Sequence, residues 1–294
     1  MKRTDFLRLI ALLPFAARPK KMNAIHSLLH ALAPSEKMPV LFLGHGSPMN
    51  AIEENSFVQG FRQAGRELPN PAAILCISAH WETRGTQVTA MEHPRTIHDF
   101  RGFPPVLSQV QYPAPGSPAL AQEVKQLVTM GNLVLDHQWG LDHGAWSVIK
   151  HLYPDANVPV IQMSLDYTKP PQYHFDLARE LAALRRKGVL IIGSGNMVHN
   201  LGLVAWDKLN GAPFAYDWAQ EASERMKTCV ANDDPGPLIN FRGQGKAFNL
   251  AIPTPEHFLP LLYALALRDK GDATNVFNDQ PVAGSLSMTS FKFS

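Results

Sequence analysis

Three apolar runs of strand length each lead into small residues and then a histidine. They give Gly44-His45-Gly46 after residues 38–43, Ser78-Ala79-His80 after residues 72–77, and Gly193-Ser-Gly-Asn-Met-Val-His199 after residues 189–192. Histidine is the commonest metal ligand and the side chain whose unperturbed titration falls nearest neutrality, so this pattern points to metal binding or proton transfer. Small residues beside each imidazole let backbone approach an ion or a substrate closely. Two further histidines carry acidic neighbours. In Thr254-Pro-Glu-His257, Thr254 is a credible helix cap and Pro255 a first helical residue, which puts Glu256 and His257 in a first turn. In Leu141-Asp-His143-Gly144, Asp142 at a helix start could orient the adjacent imidazole.

Other chemistries lack their parts. There is no His-Glu-x-x-His zincin helix and no Gly-x-Ser-x-Gly nucleophile elbow. Gly193-Ser-Gly-Asn is too short for a phosphate loop and has no lysine. A divalent metal held by nitrogen and oxygen donors, with open positions, remains. That donor set suits zinc hydrolysis or non-haem Fe(II) oxygen chemistry. Of the 12 histidines, His26, His30, His93, His137, His151 and His174 are expected to be ordinary surface or core residues.

The elements that must position these side chains read as an alternation of strands and helices. Strands are expected at 38–43, 72–78, 132–136, 158–164 and 189–192, with a last one at 285–293. Helices are expected at 56–67 with Ser56 as cap, from Ser117-Pro118, at 143–152, at 171–187 closed by Gly188, and at 213–230 and 255–268. Apolar strands between helices imply an α/β fold: one domain, with a central, mostly parallel sheet and helices on both faces. Ligands in such sheets bind outside the carboxyl ends of the strands, where the three histidines fall. Residues 92–118 are rich in Pro, Gly and aromatics, and so long an irregular stretch in a compact domain suggests a functional loop.

Bulk composition excludes several alternatives. A net charge of +2 with scattered basic residues carries no nucleic-acid footprint. The two cysteines, Cys76 and Cys229, form no Cys-x-x-Cys, and Cys76 lies in an apolar run expected to be core. No stretch reaches the roughly 18 uninterrupted apolar residues of a membrane span. Residues 1–18 resemble a short signal sequence, although Asp5 and Arg8 interrupt it and no twin-arginine pattern is present. A short amphipathic helix is expected at 22–34. Residues 1–35 are expected to be an N-terminal extension, with one regular domain over 36–294. A cytoplasmic protein is expected, with periplasmic export the alternative if residues 1–18 act as a signal.

Six strings in order, Met38-Pro-Val-Leu-Phe-Leu-Gly-His-Gly-Ser-Pro-Met49, Ile77-Ser-Ala-His-Trp81, Tyr112-Pro-Ala-Pro-Gly-Ser-Pro118, Leu141-Asp-His-Gly144, Gly193-Ser-Gly-Asn-Met-Val-His-Asn200 and Pro253-Thr-Pro-Glu-His257, resemble the class III extradiol ring-cleaving dioxygenases. The branch that opens 3,4-dihydroxyphenylalanine (DOPA) at its 4,5 bond is the nearest in kind. The resemblance implies a catechol and O2 as substrates, a semialdehyde acid as product, and one non-haem divalent metal, Fe(II) for activity with zinc as another ion the site could hold. It makes His45 and His80 metal ligands and His257 the third, with Glu256 as rival. His199 falls at a position read either as a further ligand or as the catalytic acid/base, and His143 at a second active-site histidine. His98, Phe100 and Phe103 are the expected walls for the substrate ring. A zinc hydrolase on the same scaffold, or a non-enzymatic metal-binding relative, are the competing expectations.

Overall fold

Strands form where apolar, proline-free runs can be buried on both faces. In the computed structural model, which describes residues 34–294 except Asn210, the strands are β1 (Val40–Gly44), β2 (Ala73–Thr83), β3 (Gln87–Thr89), β4 (Val134–Asp136), β5 (Val160–Asp166), β6 (Val189–Gly195), β7 (Thr274–Phe277), β8 (Pro281–Val282), β9 (Leu286–Ser287) and β10 (Ser290–Phe293), of which β1, β5 and β6 are runs of this kind. The signal-like stretch and nearly all of the expected 22–34 helix lie outside the described residues. Every residue of β1, β5 and β6 is buried, as sheets covered on both sides require.

Eight strands make one sheet in the order β4-β3-β5-β2-β6-β1-β10-β7, and β8-β9 form a separate hairpin. The centre, β5-β2-β6-β1, is parallel throughout, while β10 and β7 run antiparallel at one edge. Strand alternation sorts the side chains. Leu41, Leu43, Ile74, Cys76, Leu190 and Ile192 share a core with Phe61, Trp146 and Ile149 from the Ser56–Glu67 and His143–Leu152 helices. The Pro171–Glu180 and Leu259–Ala266 helices cover the other face, where an added Cβ at Gly193 would lie 2.3 Å from the Pro260 carbonyl oxygen. The fold is the expected single α/β domain.

Several boundaries differ from the sequence reading. Asn55, not Ser56, caps the first helix, because its extended backbone lets Oδ1 accept from Val58 N at 3.0 Å. The 171–187 helix divides into an α-helix ending at Glu180 and a 3-10 stretch, Ala182–Lys187, closed by left-handed Gly188. The expected C-terminal strand is two strands, β9 and β10. The short strands β3, β7 and β8 carry too few residues to show a period. The helix expected from residue 255 begins at Leu259. Thr254 Oγ1 donates to the Glu256 carboxylate at 2.9 Å instead of capping backbone N–H groups, so Glu256 and His257 occupy a turn before the helix. Among the described residues no helix is long and apolar enough to cross a membrane.

Candidate metal centre and active site

Four pieces of chain deliver histidines to the carboxyl end of the parallel strands. His45 follows β1 directly, and its backbone N donates to the Gly195 carbonyl at 3.1 Å, which ties it to the end of β6. His80 does not follow β2 as expected but lies within it, in a stretch where the register against β5 shifts between Ile77 and Glu82. Such bulges re-aim side chains beside active sites. His257 is anchored through its carbonyl, which accepts from Asn196 N at 2.8 Å. That approach demands glycine at 195, where a Cβ would lie 2.1 Å from the same oxygen. His143 opens its helix with Asp142 as the cap.

The side chains converge. His45 Nε2 and His80 Nε2 are 3.1 Å apart, and ligand atoms of His45, His80 and His257 lie within 4.8 Å of one another. Ring nitrogens about 2.0–2.1 Å from one ion at tetrahedral or octahedral angles sit about 2.9–3.4 Å apart, so the separation fits a shared metal. Hydrogen bonding at the far nitrogens supports this. Ser194 Oγ donates to the Gly144 carbonyl, so toward His45 Nδ1, 3.0 Å away, it acts as acceptor and leaves His45 Nε2 bare. Glu256 Oε1 sits 3.1 Å from His257 Nδ1 and fixes that ring in the same way. Glu256 thus lies on the Nδ1 side of the His257 ring.

Burial and mutual repulsion keep these imidazoles neutral, the form that ligates. Burial first, then the neighbouring histidines, hold His45 and His257 well below the ordinary histidine range. Burial and His143 bring His80 down to about 3. His199 falls to about 4 by burial, against the opposing pull of Glu256. His199 sits differently from the other four: its ring stacks on His257, centroids 3.6 Å apart and 10° from parallel. It groups with Glu256 and His257, not with His45 and His80.

The carboxylate beside His143 is not the one its sequence neighbour suggested. Asp142 is fully buried and turned inward, where it accepts from Ser78 Oγ at 2.7 Å, Gln162 Nε2 at 2.5 Å and Ala145 N at 3.1 Å. Asp99, from the irregular segment, approaches His143 Nδ1 at 2.9 Å instead. Burial pushes the Asp99 carboxyl up, but its bonds to His143 outweigh that and hold it low. Of the expected wall residues, Phe100 meets the His143 ring edge-on at 5.7 Å and Phe103 packs on Phe100. His98 is turned away: its Nε2 bonds the Val110 carbonyl at 2.8 Å and its ring backs Phe100. His151 and His174 are buried bystanders held by the Asn50 carbonyl and the Tyr263 hydroxyl, and His93 and His137 are exposed. His26 and His30 lie outside the described residues. Cys76 is core, as expected.

Residues 39–272 match the family described as the catalytic LigB subunit of aromatic ring-opening dioxygenases. The chain belongs to this family. It is 47% identical over 260 residues to a 4,5-DOPA dioxygenase extradiol of Escherichia coli K12, covering 87% of this chain and 94% of that one. It is 36% identical over 262 residues to the protein of the same name from Beta vulgaris, covering 86% and 95%. Among solved structures, an uncharacterised protein from Escherichia coli K12 superposes with a TM-score of 0.76 at 42% identity, over 88% of this chain and all of that one. The protein is an extradiol ring-cleaving dioxygenase of the LigB type, hence an oxidoreductase acting on a small molecule and O2. Neither a hydrolase nor a non-enzymatic relative is favoured. LigB-type dioxygenases use a non-haem metal, and the histidine cluster offers the donors for one.

Proposed function

We propose that the protein opens a DOPA-like catechol at the 4,5 bond, with His45, His80 and His257 holding a single Fe(II). The observation that carries this reading is the convergence of three neutral imidazoles within 4.8 Å at the sheet's carboxyl edge. The shared name of the bacterial and plant relatives supports the substrate class. When bound, the ion supplies positive charge that favours the ionised catechol and a redox-active centre for dioxygen. Zinc fits the same donors but lacks redox chemistry.

The chain's own groups do the rest. With Asp99 accepting at Nδ1, His143 carries its proton there and keeps Nε2 bare to take a proton from a catechol hydroxyl. Asp99 then stabilises the imidazolium, which can return the proton as the ring opens. His199 serves as a second proton-transfer group rather than a fourth ligand. Two imidazoles stacked in parallel 3.6 Å apart direct their in-plane lone pairs along lines that do not meet on one ion. Phe100 and Phe103 form an apolar wall for the ring and exclude water, with His98 supporting Phe100 from behind.

Anaerobic loading with Fe(II), followed by DOPA or simple catechols and O2, tests the reading. A yellow semialdehyde product with matching oxygen uptake is expected. Iron-loaded protein that consumes no catechol would overturn it.

A further inference from the structure

The irregular segment and the histidine cluster meet at one carboxylate. Asp99 Oδ1 accepts from His143 backbone N at 2.9 Å. Its Oδ2 lies 2.9 Å from His143 Nδ1 and 3.5 Å from His80 Nδ1. The backbone N–H and Nδ1 of His143 thus bond a group that has only acceptors to offer, and His80 Nδ1 lies within ion-pair range of it. The rings of His80 and His143 pack closely, centroids 3.9 Å apart and tilted by 47°, with both Nδ1 atoms turned toward Asp99. The residue next to Asp99 is Phe100, whose edge rests on His143.

We propose that Asp99 is a positioning residue that sets His80 as a ligand and His143 as a proton carrier through one shared contact, and so ties the aromatic wall to the state of the metal site. The inference rests on the reading of His80 as a ligand. With Nδ1 facing Asp99 at 3.5 Å, His80 presents Nε2 to His45 Nε2, where the ion would sit. The coupling is reciprocal: an ion that fixes His80 also fixes Asp99 and the loop beside it, and a loop already in place favours the ion.

The variant Asp99→Asn keeps the size of the side chain but turns one acceptor into a donor facing donors. Zinc affinity, read by competition with a chromophoric chelator, should fall about 10–100-fold. Hydrogen exchange across residues 96–106 should slow when zinc is added to the unaltered protein, and should not respond in the variant. With saturating Fe(II), kcat should fall while KM for the catechol changes little. Zinc affinity within twofold of the unaltered protein, together with the same metal-dependent protection, would overturn the inference. Should the variant fail to fold, exchange on the unaltered protein decides alone: zinc that binds without slowing exchange at 96–106 refutes the coupling. An unaltered protein that binds no zinc refutes the metal reading itself, and this inference with it.

Discussion

The two ends of the parallel sheet both bury ionisable side chains, and they resolve the cost in opposite ways. At the amino end, Arg185 is 1% exposed and pairs with Asp272 at 2.7 Å, with its remaining bonds going to the Met38 and Leu267 carbonyls. Lys37 adds a second cation to Asp272. Burial would push the Asp272 carboxyl up, but Lys37 and Arg185 hold it low, so the charges there are settled within the chain. At the carboxyl end five histidines crowd together with two carboxylates at their backs, Asp99 and Glu256. Their inward lone pairs face one another, and among the described residues no Lys or Arg pairs with them. One end is an ion pair joining β1, β6 and β7, with Arg185 Nη2 alone left without a partner; the other is a set of donors that could hold a metal ion. Buried charge with its partner is architecture, whereas buried base without one marks the site.

The sharpest way to break the comparison is at the carboxyl end. His80→Ala or His45→Ala should abolish metal retention and with it turnover, while leaving the melting temperature of the metal-free protein unchanged or raised. Metal analysis and differential scanning calorimetry check both halves. His199→Ala comes next. It should keep one metal per chain and lose about 10²–10⁴-fold in kcat, the range of a lost proton-transfer group. Metal loss in that variant would make His199 a ligand instead.

At the amino end, Arg185→Met should cost about 3–5 kcal/mol, because it strands a buried carboxylate. Chemical denaturation should show the loss, and activity per bound metal should persist in whatever protein remains folded. Acidification separates the ends more gently. Burial lowers His174 to about 4 and His199 to about 4, against about 6.5 in the unfolded chain. Between those values the unfolded chain binds more protons, so this stability is complete above about pH 6.5 and is lost as the pH falls toward 4. Each such histidine contributes up to about 1.4 kcal/mol per pH unit to that loss. Melting temperatures of the metal-free protein across this range should fall on the acid side; a flat profile would contradict the neutral-histidine account.

The carboxyl end was more legible in the sequence than the contacts that organise it. His45 follows its apolar run directly, and His80 and His199 come a few residues after theirs, so the runs and their small neighbours suffice to place all three near one edge. Leu190, Ile192 and Cys76 reveal the core for the same reason. Asp99 was not legible as an orienting group, because it reaches His143 across 44 positions of chain and sits in a segment with no period. Asp142 drew attention only by adjacency, and its role as a buried cap turned it the other way. The start of the last major helix was misplaced because Thr254 bonds Glu256 rather than backbone. Arg185 carries no sequence signal of its own, since its partner Asp272 lies 87 positions away.

Titration of the metal-free protein with Fe(II) under anaerobic conditions, followed at each step by the initial rate of catechol-dependent oxygen uptake, tests the central claim most directly. The account predicts a rate that rises linearly and breaks at one iron per chain, with ring-opened product equal to the oxygen consumed. Oxygen uptake independent of iron, or a chain saturated with iron that leaves every catechol intact, would contradict it.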